Sequence, residues 1–194
     1  AGQGRGTPAQ VGEVVRQAGA ALAAAHREGV VHRDVKPENL VLTLEGDRLR
    51  VKVVDFGLAR APETERGLTR TGMVVGTPAF MAPEQVLDGR VSAATDVYAL
   101  AAVAWEALTG VRLVKGEAVG AIFHEILGEE AAPPSLFRPG LTADVDEVLL
   151  AALAKSPGER PSDAEEWGRR LAAALAFVPA AEPGWGEAEP RGGA

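Results

Sequence analysis

The sequence predicts a mainly α domain of the α+β class, with one short β-hairpin. Three observations predict it. Five segments carry helical spacing or helix-capping signals, two short β-branched stretches flank a Gly-containing turn, and residues 55–90 follow neither period. At 194 residues and 46% hydrophobic, the chain is long and apolar enough for one domain with its own core.

The first helix is announced by Thr7-Pro8-Ala9-Gln10. Thr can accept from an early backbone N–H, Pro is tolerated at the first helical position, and Gln three residues on completes a capping box. Val11, Val14, Val15, Ala18, Leu22 and Ala25 then form one apolar stripe, and Gly29 supplies a stop that can turn left-handed at no steric cost. Val30-Val31 reads as a short strand leading into the next loop. Leu40–Leu44 and Leu49–Val54 read as a hairpin around Glu45-Gly46-Asp47-Arg48. A stretch without periodicity as long as 55–90 is usually functional. Ser92–Thr109 reads as a buried central helix stopped by Gly110, followed by helices over Gly116–Leu127 and Thr142–Ala154. Ser162-Asp163-Ala164-Glu165 reads as a second capping box, opening a last helix to about Phe177. Pro, Gly, Ala and Glu dominate beyond Pro179, which predicts disorder.

Charge and composition exclude several functions. With 20 Lys+Arg against 27 Asp+Glu the formal net charge is −7, which argues against a generic nucleic-acid binder. The absence of Cys excludes disulfides, thiolate catalysis and Cys-ligated metals in these residues. Val97–Trp105, the one long apolar run, is shorter than the roughly 20 residues that span a bilayer, and residues 1–6 lack the apolar core of a signal peptide. The expectation is a soluble cytoplasmic domain with no membrane span and no nucleic-acid partner.

The chemistry concentrates at two places. His32-Arg33-Asp34-Val35-Lys36-Pro37-Glu38-Asn39 precedes the hairpin, and Asp55-Phe56-Gly57 follows it. The hairpin can therefore fold Asp34, Asn39 and Asp55 towards one site. Three oxygen-bearing side chains with one Lys suit a hard cation such as Mg²⁺ bridging phosphates. A carboxylate beside them could take a proton from an attacking hydroxyl. His26 and His124 are read as helix residues without a special role, since nothing near them has metal-ligand spacing. Trp105 reads as core.

These motifs, in this order, resemble those of the serine/threonine protein kinases, most closely the bacterial members, over about Gln10 to Phe177. Further segments agree in order: Gly76-Thr77-Pro78-Ala79-Phe80-Met81-Ala82-Pro83-Glu84, Asp96-Val97-Tyr98-Ala99-Leu100, and Ser156-Pro157-Gly158-Glu159-Arg160-Pro161. The resemblance implies a protein-kinase-like large C-terminal lobe over 9–177, with a linker at 1–8 and a disordered tail at 178–194. Within it, 32–39 would be the catalytic loop and 55–84 the activation segment. The implied reaction is ATP- and Mg²⁺-dependent phosphoryl transfer to Ser or Thr of protein substrates.

By the same resemblance, Asp34 orients and deprotonates the hydroxyl, Lys36 neutralises the transferring phosphate, Asn39 holds a Mg²⁺, and Asp55 binds the metal that bridges the ATP phosphates. Thr77 would support Asp34 and Lys36, and Asp96 would steady the catalytic loop. His32 would brace the backbone at Asp55-Phe56-Gly57, while Glu84 would pair with Arg160. Arg33 would anchor a phosphorylated activation loop, with Thr69 and Thr71 as candidate phosphosites.

The Gly-rich loop, the strand Lys and the helix Glu of the family's N-lobe have no counterpart in these residues. The N-lobe is therefore expected to be absent, the isolated chain weak or inactive, and a separate N-lobe or partner kinase a candidate partner. Two alternatives stand beside this reading: a non-catalytic module docking substrate or partner, and a small-molecule phosphotransferase, against which the segment 76–84 argues.

Overall fold

Pro8–Arg27 forms the first helix (α1), and the reason lies at its start. The Thr7 hydroxyl accepts from the Gln10 N–H at 3.2 Å while the Gln10 side chain accepts from the Thr7 N–H at 3.1 Å, so two otherwise orphaned donors are satisfied reciprocally. α1 ends at Gly29, whose φ of 74° is the left-handed conformation that glycine adopts freely. The computed structural model describes residues 5–46, 48–56, 78–87 and 89–179. Strands β1 (Leu40–Glu45) and β2 (Arg48–Val53) pair antiparallel, with Leu40 opposite Val53 and Leu44 opposite Leu49. The helices α2 (Pro83–Val86), α3 (Ala93–Thr109), α4 (Val119–Gly128), α5 (Ala143–Ala152) and α6 (Ala164–Leu175) follow. The domain is therefore mainly α with a two-stranded hairpin. Among the described residues, no helix is long and apolar enough to cross a membrane.

α3 lies at the centre of the core. Val97, Leu100, Ala101, Ala102, Trp105 and Leu108 are buried around its circumference, so it makes contact on every side. The Trp105 indole N–H donates to the Ala132 carbonyl at 2.8 Å, which satisfies the one polar group this ring buries. Gly110, at φ 72°, closes the helix.

α1 and α6 run antiparallel and close together, because glycine stands where their backbones meet. A Cβ at Gly19 would lie 2.4 Å from the Ala164 carbonyl oxygen, one at Gly168 2.8 Å from the Val15 oxygen, and one at Gly12 3.3 Å from Ala172 Cα. Gly→Ala in an exposed helix stabilises by about 1 kcal/mol. Here the sign reverses: Gly19→Ala should destabilise by about 1–3 kcal/mol through overpacking, with Gly168→Ala next and Gly12→Ala least. Urea melts check this order, and an unchanged midpoint for Gly19→Ala refutes the close approach.

Several elements differ from the sequence expectations. Val30-Val31 forms no strand, because neither β1 nor β2 pairs with it and Val30 is exposed. The last helix is capped by Asp163 and not Ser162: one carboxylate oxygen accepts from the N–H groups of both Glu165 and Glu166, at 2.8 and 2.9 Å. α4 begins at Val119 instead of Gly116. Residues 115–118 form a loop folded onto the helix, with the Lys115 N–H bonded to the Glu125 carboxylate at 2.6 Å. There Gly116 sits so close that a Cβ would lie 2.7 Å from the Ile122 nitrogen. Inside the stretch without periodicity, Pro83–Val86 makes one turn of helix.

Candidate active site

The loop between α1 and β1 alternates in burial. Val35 is buried while Asp34 on one side is exposed and Lys36 on the other is half-buried, so a single apolar anchor presents both polar groups to solvent. The Lys36 ammonium donates to Asp34 Oδ2 at 2.7 Å. Asn39 Nδ2 donates to the same oxygen at 3.2 Å and to the Asp34 backbone carbonyl at 2.7 Å. Asp34 Oδ1 accepts nothing among the described residues, and the side chain is 52% exposed. A carboxylate with one oxygen held and one open to an incoming hydroxyl has the geometry of a general base.

The backbone under this loop is held from α3. Asp96, fully buried, accepts from the N–H groups of His32 and Arg33, both at 2.8 Å. His26 Nε2 lies 2.7 Å from Asp96 Oδ2, so three partners compensate the buried carboxylate. His26 thus has a structural place where the sequence suggests none. The available signal is its spacing of four from Leu22 and eight from Ala18, both buried, which puts His26 on the inward face of α1.

Arg33 has φ 69°, a left-handed conformation that costs a non-glycine residue about 1–2 kcal/mol. Its N–H is fixed by Asp96, and its carbonyl accepts from the Gln85 side chain at 2.8 Å. Gln85 also accepts from the Ala82 N–H at 3.0 Å, which ties the start of α2 to the loop. Nothing in its sequence neighbourhood marks Gln85 for this role.

The hairpin brings the second motif to the first. The Val54 N–H donates to the Asn39 carbonyl at 3.0 Å, which places Asp55, the next residue, at the base of the hairpin beside Asn39. Asp55 is exposed, with φ 62°. His32 Nε2 lies 2.9 Å from the Val54 carbonyl, and its ring packs on Phe56 at 4.7 Å between centroids, so the loop braces the strand end directly. The Asn39 side-chain carbonyl accepts no bond among the described residues while its amide is spent on Asp34. That oxygen and the Asp55 carboxylate are hard donors of the kind Mg²⁺ takes while keeping waters and phosphate oxygens as its other ligands. Among the described residues, no group of three or more His, Cys, Asp or Glu is placed to hold a metal ion.

A second constellation joins α2 to the start of α3. Arg160 grips Glu84 with two bonds of 2.8 Å, Nη1 to Oε1 and Nη2 to Oε2. Its remaining donors reach the carbonyls of Ala94, Ala154 and Lys155, and its guanidinium lies 4.8 Å from the centre of the Tyr98 ring. The Thr95 hydroxyl donates to Glu84 at 2.8 Å. Both charges are buried. Burial pushes the Glu84 carboxyl up, but the bonds from Arg160, the backbone and Thr95 more than offset this and hold it below its ordinary value.

Thus Asp34, Lys36 and Asn39 are in contact, Asp55 stands at the same end of the hairpin, Asp96 and His32 hold the loop backbone and strand end, and Glu84 pairs with Arg160 against the start of α3. Arg33 reaches neither cluster with its side chain among the described residues. Gly57, Thr69, Thr71, Gly76 and Thr77 lie outside the described residues.

Comparison with known proteins shows the family. The model of the protein kinase domain family matches residues 2–169. The serine/threonine-protein kinase PknB of Mycobacterium tuberculosis is 39% identical over 165 residues, covering 84% of this chain and 26% of the relative. PknD of the same organism is 44% identical over 155 residues, covering 79% of this chain and 23% of the relative. A solved structure of the M. tuberculosis PknI kinase domain, in mutant form, superposes with a TM-score of 0.65 at 28% identity, covering 88% of this chain and 56% of that one. The chain therefore spans about a quarter of these two curated relatives and just over half of the solved domain.

Proposed function

Because the chain belongs to the protein kinase domain family, with bacterial serine/threonine kinases among its relatives, we propose that its loop at 32–39 and Asp55 carry ATP- and Mg²⁺-dependent phosphoryl transfer to Ser or Thr side chains of proteins. The observation that supports this best is the Asp34 carboxylate: open on one oxygen, held on the other by Lys36 and Asn39, and set on a backbone clamped by Asp96.

On this reading the acceptor hydroxyl gives its proton to Asp34 as its oxygen forms the new bond to the terminal phosphorus of ATP, and the bond to the ADP oxygen breaks. Lys36 stands where positive charge can stabilise the phosphoryl oxygens as negative charge redistributes. Asn39 and Asp55 would hold Mg²⁺, which supplies charge neutralisation between the phosphates. Residues 32–39 are then the catalytic loop and 55–84 the activation segment of a large lobe covering 9–177. In the same proposal Arg33 receives a phosphate on Thr69 or Thr71, and Thr77 supports Asp34.

The direct test joins the chain to the small lobe of a related kinase and follows transfer of labelled phosphate from ATP to a protein substrate. Label recovered on Ser or Thr supports the proposal. No transfer, from a folded fusion with both lobes present, would leave the reading of a module that only docks partners.

The 194 residues taken alone make a separate prediction. They contain no counterpart of the Gly-rich loop, strand Lys and helix Glu of the family's small lobe, so only one side of an ATP clamp is present in them. At a ligand concentration equal to Kd the stabilisation is about 0.4 kcal/mol, and smaller below it. For a domain of this size that corresponds to about 1–2 °C in Tm. Differential scanning fluorimetry at 1 mM MgATP should show no more than this, and a shift above about 5 °C would show that the large lobe binds nucleotide tightly by itself.

A further inference from the structure

Gln17 of α1 makes two directed bonds to the edge of β2 that β1 does not cover. Its side chain accepts from the Val51 N–H at 3.0 Å and donates to the Leu49 carbonyl at 2.8 Å. This is the pattern that one residue of a parallel strand would make opposite Arg50, giving to one neighbour and taking from the other. The same amide nitrogen also donates to Glu13 at 2.6 Å, and Arg16 closes on both Glu13 oxygens at 2.8 and 2.6 Å. A flipped amide would set oxygen against the Leu49 and Glu13 oxygens, so this network admits one orientation of Gln17.

Apolar packing holds the hairpin through Leu40 and the β2 side chains and leaves the far half of β1 uncovered. Leu40, Leu42, Leu44, Leu49, Val51 and Val53 share one face by register, yet Leu42 is 40% and Leu44 74% exposed, so the β1 side overhangs α1. Burial is non-directional and tolerates tilt. The bonds of Val54 to Asn39 and His32, with the His32 ring on Phe56, hold β2 to the loop at its Asp55 end only. Bonds at Leu49 and Val51 add a second point and so define the direction in which β2 runs towards Asp55, two residues past its end.

We propose that Gln17 is a positioning residue for the metal-binding pair: by bonding β2 to α1 it sets how Asp55 stands relative to Asn39, which is tied to Asp34 within a loop held separately by α3. This rests on the proposed function, in which Asn39 and Asp55 hold a divalent cation. Glu13, kept below the ordinary carboxylate range by the hydrogen bond from Arg16, stays an acceptor that orients the Gln17 amide at neutral pH.

The test is a Mn²⁺ titration of the ¹⁵N-labelled 194-residue chain, read as paramagnetic broadening of the amide signals of residues 34–39 and 54–56. Gln17→Met, which keeps the length of the side chain and loses both bonds, should move the midpoint about threefold to tenfold higher, at or below the 10–100-fold typical of partners that bond a ligand directly. Gln17→Asn, too short to reach both partners, should move it the same way and serves if the first variant does not fold. Gly12→Ala, on α1 where it meets α6, is the control for general loosening and should leave the midpoint unchanged. A parental midpoint in the folded Gln17 variants, or an equal shift in Gly12→Ala, overturns the positioning role. Asp55→Asn should abolish the local broadening. Broadening retained in that variant would instead remove the metal-site reading on which the inference stands.

Discussion

Asp34→Asn should lower phosphate transfer to a Ser/Thr substrate by about 10²–10⁴-fold, the usual contribution of a positioned general base. The measurement needs the chain joined to a small lobe, with labelled phosphate as readout. Asn has the same shape, and its side-chain oxygen can still accept from Lys36, so the geometry around the loop is preserved while the proton acceptor is lost. The side chain is 52% exposed, and a substitution there should change stability by no more than about 0.5 kcal/mol. The expected result is thus a loss of rate at an unchanged Tm. Full activity in the variant would refute Asp34 as the base, and a collapse in Tm would show that its role is structural.

Glu84→Ala should destabilise the fold far more than any change at Asp34. It leaves the Arg160 guanidinium buried without its carboxylate, and breaking a buried pair from one side costs about 3–5 kcal/mol. At about 2–4 °C per kcal/mol for a chain of this size, Tm should fall by about 6–20 °C. Glu84→Gln, which keeps the volume and one acceptor for Thr95 and Arg160, should cost less. An unchanged Tm in Glu84→Ala would discredit the pair as a structural element.

The pair also has a pH signature. The folded-state pKa of Glu84 lies below its ordinary value of 4.5, so its contribution is fully present above that value and is lost as pH falls through the folded pKa. The difference in Tm between the parent and Glu84→Gln should therefore be greatest near neutral pH and shrink in acid. A difference that grows on acidification would contradict the depressed pKa.

Local rules made much of the fold legible. The capping box at Thr7 and Gln10, the left-handed glycines 29 and 110, and the turn at Gly46 are short-range signals, each satisfied by atoms within a few residues. The buried character of Ser92–Thr109 followed from its largely apolar composition, above all the run Val97–Trp105. Where two neighbouring residues could serve the same cap, as with Ser162 and Asp163, sequence left the choice open to error. Asp163 won because its carboxylate reaches two N–H groups at once. Val30-Val31 has the composition of a strand without being one, because a strand is defined by its partner and β propensity cannot supply one.

Sequence alone marked out the residues proposed to carry the chemistry: Asp34, Lys36, Asn39 and Asp55 are legible as types at set spacings around a hairpin. Tertiary structure alone decided how they are held. His26 reaches Asp96 across 70 positions, Gln85 reaches Arg33 across 52, and Gln17 reaches Leu49 across 32. Each is a polar side chain on a helix whose sequence neighbours do not reveal its partner. Hydrogen bonds act over about 3 Å in space, whatever the distance along the chain, so only the packing of α1, α2 and α3 could bring these pairs within reach.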